Sequence, residues 1–194
     1  MLTPKGYTTI GQIQNYLLHT IKEYFKPQVS EWIAMMEKYV EQETGRVFIA
    51  DEVATEKKYD GDSEIQLFLD ENVEVSKLII DSTEIADSDY LNYPPNELPI
   101  TRIKLKDDTG LFFVAGEQNI LVEAKWGYSV ACPPDISFAT TILVVGIINF
   151  SGEMSGEIKS EKIGDYAVAY KDKKDWQDFN RAKRILEKYK LIVI

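Results

Sequence analysis

Hydrophobic residues have one spacing near the two ends of this chain and another in its middle. Near both ends, apolar residues recur every three or four positions, which predicts amphipathic helices. Between residues 57 and 128, apolar and polar residues alternate instead, which predicts short strands separated by turns. The pattern indicates an α+β protein in which the N- and C-terminal segments, 1–56 and 129–194, form a helical core. The segment 57–128 is then an inserted antiparallel β module, a small sandwich or barrel.

The N-terminal segment predicts two helices. Thr8 or Thr9 is placed to cap the first helix, and Gly45 to end the second as a left-handed C-cap. Pro27 is expected to break the helical pattern, so Ser30 is predicted to cap the second helix. The apolar stripe of the first helix consists of Ile10, Ile13, Leu17 and Ile21.

Turn residues divide the predicted β module into strands. Asp81–Glu84 is predicted to be a turn, and Tyr90–Pro99 a loop rich in proline and asparagine. Leu111–Val114 is predicted to be a short apolar strand, and Ile120–Trp126 the last alternating strand.

An uncharged stretch of fifteen residues, Ile136–Phe150, predicts a central helix. Pro134 and Asp135 suit its first turn, since proline lacks only an N–H that would be unpaired there and the acid complements the helix dipole. A surface helix has a polar face, but the second face here includes Val144 and Ile148. We therefore expect burial on two sides, with a neighbouring subunit as the candidate for the second side.

Two further segments follow the central helix. Gly152–Ser160 combines glycines with glutamates, which predicts a mobile loop that becomes ordered on assembly. Tyr166–Tyr170 alternates as a short strand does, and a final helix follows it. The apolar stripe of this last helix consists of Trp176, Phe179, Ala182, Ile185, Leu186 and Tyr189.

Charge is distributed unevenly. The chain carries a formal net charge of −10, and residues 41–97 contain sixteen acids against four bases. Residues 171–190 contain eight bases against four acids, and they precede four apolar residues at 191–194. A protein that binds duplex DNA usually has a basic surface patch, so this acidic composition argues against direct nucleic-acid binding.

The sequence offers little for catalysis or metal binding. Cys132 and His19 are each the only residue of their kind, which excludes an internal disulfide and a Cys/His metal site within one chain. Asp60–Glu64 superficially resembles a calcium loop but lacks the full EF-hand spacing, so a solvated turn is expected. We expect no enzyme activity, no metal and no cofactor.

No segment predicts membrane insertion or secretion. The uncharged run at residues 136–152 is shorter than the roughly 20 apolar residues that a membrane-spanning helix needs. The first residues lack the charged and apolar regions of a signal peptide. We therefore expect a soluble protein that is made in the cytoplasm.

Several short motifs, in this order, resemble the head–tail connector (adaptor) proteins of tailed bacteriophages. They are Glu43–Arg46, Asn119 with Lys125–Tyr128, Pro134–Ile136, the SEKIGDY run Ser160–Tyr166, and Tyr170. The motifs span most of the chain, and their order carries the resemblance.

This resemblance implies a structural virion protein that forms a homo-oligomeric ring, usually twelvefold, below the portal protein. Such a ring bridges the portal to a stopper or tail-completion protein and lets DNA pass without specific binding, and the chain would reside in the host cytoplasm before assembly. The predicted subunit interface consists of Val144, Ile148, Ile163, Gly164, Tyr166 and Tyr170. The predicted portal contact consists of Arg181, Arg184, Leu191, Ile192, Val193 and Ile194.

Two other functions remain open at this point. The β module could recognise a ligand such as a glycan or a host surface, or two of the many carboxylates could form a hydrolase pair. The apolar residues 191–194 could also fold back on the β module of their own chain instead of meeting the portal.

Overall fold

The structure is a computed structural model, and it describes residues 3–151 and 173–191. The chain divides into two compact units. One unit comprises Met1–Arg46 and Cys132–Ile194, and the other comprises Val47–Ala131. The predicted β module, 57–128, lies within the second unit.

The first unit is helical in its described part. It contains α1 (Ile10–Leu17), a 3₁₀ turn (Glu23–Phe25), α2 (Lys26–Thr44), α3 (Pro134–Ser151) and α4 (Lys173–Glu187). The helices from the N-terminal segment thus pack with helices that follow residue 131.

The start of α1 is fixed by a reciprocal pair of hydrogen bonds. Thr9 Oγ1 accepts from the backbone N–H of Gln12 at 3.2 Å, and Gln12 Oε1 accepts from the backbone N–H of Thr9 at 2.8 Å. This capping box satisfies two donors that the first turn would leave unpaired. Leu18 has a left-handed backbone with φ 58°, so α1 ends before Ile21, which is nevertheless buried.

The prediction for the start of α2 is wrong. The helix begins at Lys26 and contains Pro27 in its first turn, where the missing N–H of proline has no intrahelical partner to lose. Ser30 therefore lies inside the helix. The predicted C-cap is confirmed, because Gly45 has φ 71° and its N–H donates to the carbonyl oxygen of Glu41 at 2.8 Å.

Helix α3 is buried by its own chain. Val144 and Ile148 are both 0% exposed and lie in one apolar cluster with residues of the N-terminal helical segment. The buried members from that segment are Ile13, Ile21, Phe25, Val29 and Ile33.

This packing corrects the reasoning that assigned Val144 and Ile148 to a subunit interface. Their apolar face does need a second partner, but α1, α2 and the residues between them provide it within one chain. Neither side chain retains surface with which another subunit could make contact in this fold.

The second unit contains one sheet of six strands in its described residues. The strands are β1 (Thr55–Gly61), β2 (Gln66–Ile80), β3 (Thr83–Ile85), β4 (Tyr90–Tyr93), β5 (Ile100–Leu105) and β6 (Gly116–Trp126). Their order is β1-β6-β2-β5-β4, with β3 paired to β2, and every pair is antiparallel. The predicted α+β class is confirmed.

Three local predictions in this unit differ from the structure. Tyr90–Tyr93 forms an edge strand inside the predicted loop, and Thr83 begins β3 inside the predicted turn. Leu111–Val114 is irregular instead of extended into a strand, although Phe113 is 0% exposed. Gly61 lets this irregular segment approach closely, because a Cβ at that position would lie 1.8 Å from the carbonyl oxygen of Val114.

Several predictions fall on residues outside the described ranges. They concern the loop Gly152–Ser160, the alternating run Tyr166–Tyr170, the interface residues Ile163 and Gly164, and the tail residues Ile192, Val193 and Ile194.

Candidate functional site

Helix α4 turns its basic side chains away from the core. Ala182 is 0% exposed and Leu186 is 3% exposed, so these two residues form the buried side of the helix. The exposed side of the helix and the residues directly after it include five of the basic residues that the sequence singled out. We call these five the basic face of α4: Arg181, Lys183 and Arg184 lie on the helix, and Lys188 and Lys190 follow it.

Polar contacts hold α4 on the other helices of its unit. Tyr16 on α1 donates its hydroxyl proton to Asp178 Oδ2 at 2.9 Å. The Arg181 guanidinium lies 4.7 Å from the centre of the Phe138 ring on α3, which is cation–π geometry. Arg181 is therefore partly committed to its own chain, whereas Arg184 is exposed and makes one long hydrogen bond, 3.4 Å, to the Asn180 carbonyl oxygen.

The segment after α4 is bound to the ends of two other helices. The Tyr189 hydroxyl donates to the carboxylate of Asp135 at the start of α3, with distances of 2.8 and 3.0 Å to its two oxygens. The Leu191 N–H donates to the Thr44 carbonyl oxygen at 2.8 Å. Leu191 thus lies at the end of α2, which is neither the portal nor the β module that the sequence analysis considered, and its side chain is 39% exposed.

Glycine is needed where Leu191 meets α2. Gly45 has φ 71°, a left-handed backbone that a side chain would strain, whereas the space beside Leu191 would admit a Cβ at an ordinary contact distance of 3.5 Å. The Arg46 side chain adds a second bond at this point, because its Nε donates to the Tyr189 carbonyl oxygen. The C-terminal segment is therefore positioned up to residue 191.

A buried carboxylate that the sequence analysis missed orders the N-terminal arm. Glu37 on α2 is 2% exposed, and it accepts the backbone N–H groups of Gly6 and Tyr7 at 2.9 and 2.8 Å and that of Lys5 at 2.5 Å. Glu41 adds contacts to the Lys5 ammonium and the Tyr7 hydroxyl. The sequence did contain a sign of this role, because Glu37 lies at helical spacing from the apolar residues Ile33 and Val40 that α2 buries.

A shallow groove lies between α1 and α3. Its volume is about 360 Å³, and most of its lining side chains are polar or partly polar. They are Gln12, Asn15, Tyr16, Pro134, Ser137, Phe138 and Thr141. Small-molecule sites are usually deeper and more apolar, so this groove does not have the character of a ligand pocket.

The thiol of Cys132 and the carboxylates of Asp60 and Asp62, which are candidates for chemistry, have structural roles. Burial raises the pKa of the Cys132 thiol to about 12, with smaller contributions from the charges of Glu37 and Asp135, so the reactive thiolate is disfavoured. Asp62 Oδ1 accepts from the N–H of Glu64 at 3.0 Å, and Asp60 Oδ1 accepts from that of Gln118 at 2.6 Å. In the segment that superficially resembled a calcium loop, Asp62 thus caps a local turn and Asp60 links β1 to β6.

The described residues contain neither a candidate metal site nor a helix that could span a membrane. In residues 3–151 and 173–191, no three His, Cys, Asp or Glu side chains come together in a way that could hold a metal ion. Within the same ranges, none of the helices has the length and hydrophobicity that crossing a membrane requires.

This chain is similar to a known protein in its fold and not in its sequence. No protein-family model matches the sequence, and no curated protein matches it. The fold is similar to that of a chain in the neck of an empty GTA particle, a structure computed with C6 symmetry. The TM-score is 0.61 at 10% identity, and the match covers 100% of this chain and 94% of the other. At that identity the likeness shows a shared fold.

Proposed function

We propose that this chain is a structural neck protein of a tailed-phage-like particle, a connector that forms a ring between the portal and the stopper or tail. The observation that carries this proposal is the fold shared with a chain of a GTA-particle neck over nearly the full length of both chains. The connector-like motifs in the sequence support the same assignment. They are a separate line of support, because the two chains share only 10% sequence identity and their similarity is one of fold.

The charge distribution suits a ring through which DNA passes. The chain carries a net charge of −10, and a conduit of like charge keeps phosphates from adhering to its wall. DNA would then move through the ring without specific binding, in the virion at the head–tail junction.

The basic face of α4 is our candidate for the surface that meets the portal. Ala182 and Leu186 fix the helix to its own unit, so Lys183 and Arg184 are presented on a rigid support. A preorganised basic face on an otherwise acidic protein favours one orientation of docking, since a wrong approach places like charges together.

Assembly of the purified chain tests the ring. We expect native mass spectrometry and negative-stain electron microscopy to show closed rings, either at high protein concentration or after addition of the portal protein of the same particle. A chain that stays monomeric under both conditions, and that does not attach to portal-bearing heads, would refute the proposed function.

Charge reversal tests the portal contact separately. The variant Lys183→Glu with Arg184→Glu should still form rings but should lose attachment to portal-bearing heads in a sedimentation assay. Lys38→Glu is the matched control, because Lys38 is exposed on α2 in the same helical unit. Attachment of the double variant at the level of the control would show that α4 is not the docking face.

A further inference from the structure

The outer face of the sheet carries a row of three side chains that are neighbours across three strands. Phe68 on β2 is in register with Arg102 on β5, and Arg102 is in register with Tyr93 on the edge strand β4. The adjacent residues Leu67 and Ile103 belong to the core, so the row lies on the opposite face. Phe68 is 72% exposed, which makes this row an open surface and not part of the fold's interior.

The guanidinium in this row is held in place before any partner arrives. It lies 4.7 Å from the centre of the Tyr93 ring and 6.0 Å from that of Phe68. Arg102 Nη1 also donates to Gln66 Oε1 at 2.8 Å. No carboxylate of the described residues forms an ion pair with Arg102. An oriented guanidinium without a carboxylate partner suits an acidic group from another molecule.

The surroundings of Arg102 resemble the energetic centre of a protein interface. Leu91, 44% exposed, and Lys104 form the next row on the same face. Aromatic residues and arginine are enriched among the residues that dominate binding energies, and exposed apolar side chains around them exclude water when a partner docks. The surface therefore suits a protein partner that brings carboxylates.

The opposite edge of the same sheet has the complementary charge. The strand order places β1 at one edge and β4 at the other. Residues 51–64, which include β1, contain six acids against two bases, and all six acids are exposed. One of the two bases, Lys57, is already paired with Asp70 at 2.8 Å.

Among the residues that the structure describes, no basic side chain forms an ion pair with Glu56 or Glu123. Glu56 on β1 is in register with Glu123 on β6, and like charges directly opposite each other destabilise a sheet. Lys77 lies in register on the other side of Glu123 but is paired with Glu84 at 3.4 Å. A guanidinium from another molecule would relieve this repulsion.

We propose that these two surfaces meet between copies, so that the Phe68–Arg102–Tyr93 row of one subunit docks on the Glu56–Glu123 edge of the next. A ring repeats one head-to-tail contact that joins two different surfaces of the same chain. Val122 and Ala124 belong to the core, so Glu123 lies on the outer face as the row does, and the two patches occupy separate strands of that face, β1–β6 and β2–β5–β4. Copies that each carry a net charge of −10 repel one another, so local complementarity is required. This inference rests on the proposed function, which supplies the ring.

Charge reversal and rescue test the contact. We expect Arg102→Glu to raise the protein concentration at the midpoint of assembly about tenfold or more, as loss of a central interface residue does. Phe68→Ser should act in the same direction, and its exposed position makes misfolding a poor explanation. Adding Glu56→Lys to Arg102→Glu should restore assembly, because the charges are then exchanged. Lys38→Glu should assemble as the wild type does.

Each contrary outcome has its own meaning. Rings that form normally in Arg102→Glu and Phe68→Ser would overturn the contact and leave the proposed function standing. A defect in Arg102→Glu that Glu56→Lys does not rescue would show that the row does not meet this edge. A wild-type chain that never assembles would refute the contact, and it would refute the proposed function as well if the chain also failed to attach to portal-bearing heads. Binding of a labelled single-stranded oligonucleotide that Arg102→Glu abolishes would instead make the row a base-stacking platform.

Discussion

Replacing Ile148 with alanine tests whether α3 is stabilised by its own chain or by a neighbouring subunit. The side chain is 0% exposed within the cluster that α1 and α2 contribute to. Three carbon groups are lost, and at about 0.8 kcal/mol for each methylene-sized group the transfer cost is roughly 2.5 kcal/mol. The cavity left behind raises the cost toward the range of about 2–5 kcal/mol that is typical of such substitutions.

Urea unfolding combined with amide hydrogen exchange measures this effect. The midpoint should fall without a change in slope, and exchange of peptides from α2 and α3 should accelerate, while peptides from the sheet keep their protection. Ile147→Ala is the matched control, because the same atoms are removed from a partly exposed position. If Ile148→Ala leaves the subunit as stable as the control and instead prevents ring assembly, then α3 is a subunit interface and the packing argument is wrong.

Four further predictions concern local contacts of Thr9, Cys132 and Tyr189. Thr9→Ala should destabilise α1 by about 1 kcal/mol and speed amide exchange there, whereas Thr9→Ser should not; equal exchange in both variants would contradict the role of the cap. Cys132 should react with iodoacetamide at pH 8 roughly a thousandfold more slowly than an ordinary thiol, because its pKa is raised from 9.0 to about 12. The neutral thiol stabilises the fold below pH 9, and this contribution should decline between pH 9 and about 12 as the unfolded chain ionises, with Cys132→Ser flattening that decline. Tyr189→Phe should cost about 1–3 kcal/mol by removing the hydroxyl from the Asp135 carboxylate, and a melting temperature unchanged from the wild type would contradict this contact.

Features set by neighbours in the sequence could be predicted well. The cap at Thr9 and the left-handed end at Gly45 depend on a few adjacent residues, and the structure confirms both. Pro27 shows the limit of this reasoning, because proline ends a helix in its interior but begins one in its first turn. The local pattern did not distinguish these two positions.

Features set by distant residues could not be predicted in the same way. Val144 and Ile148 were recognised as an apolar face, but the sequence does not say that residues more than a hundred positions earlier cover it. The Phe68–Arg102–Tyr93 row was also missed, because it exists only through the pairing of β2 with β5 and of β5 with β4. The basic residues of α4 were found, since one helix displays them together.

The sheet unit is held closed where the chain enters and leaves it, and this has a consequence for how such a protein can change. The Tyr128 N–H donates to the Val47 carbonyl oxygen at 2.8 Å, and the Ala50 N–H to that of Ser129 at 2.9 Å. The entry and exit segments therefore run side by side within the unit. The whole sheet unit, Val47–Ala131, could therefore be deleted, enlarged or exchanged in evolution. Only a few linking residues would be needed between the flanking helical segments, which have a core of their own.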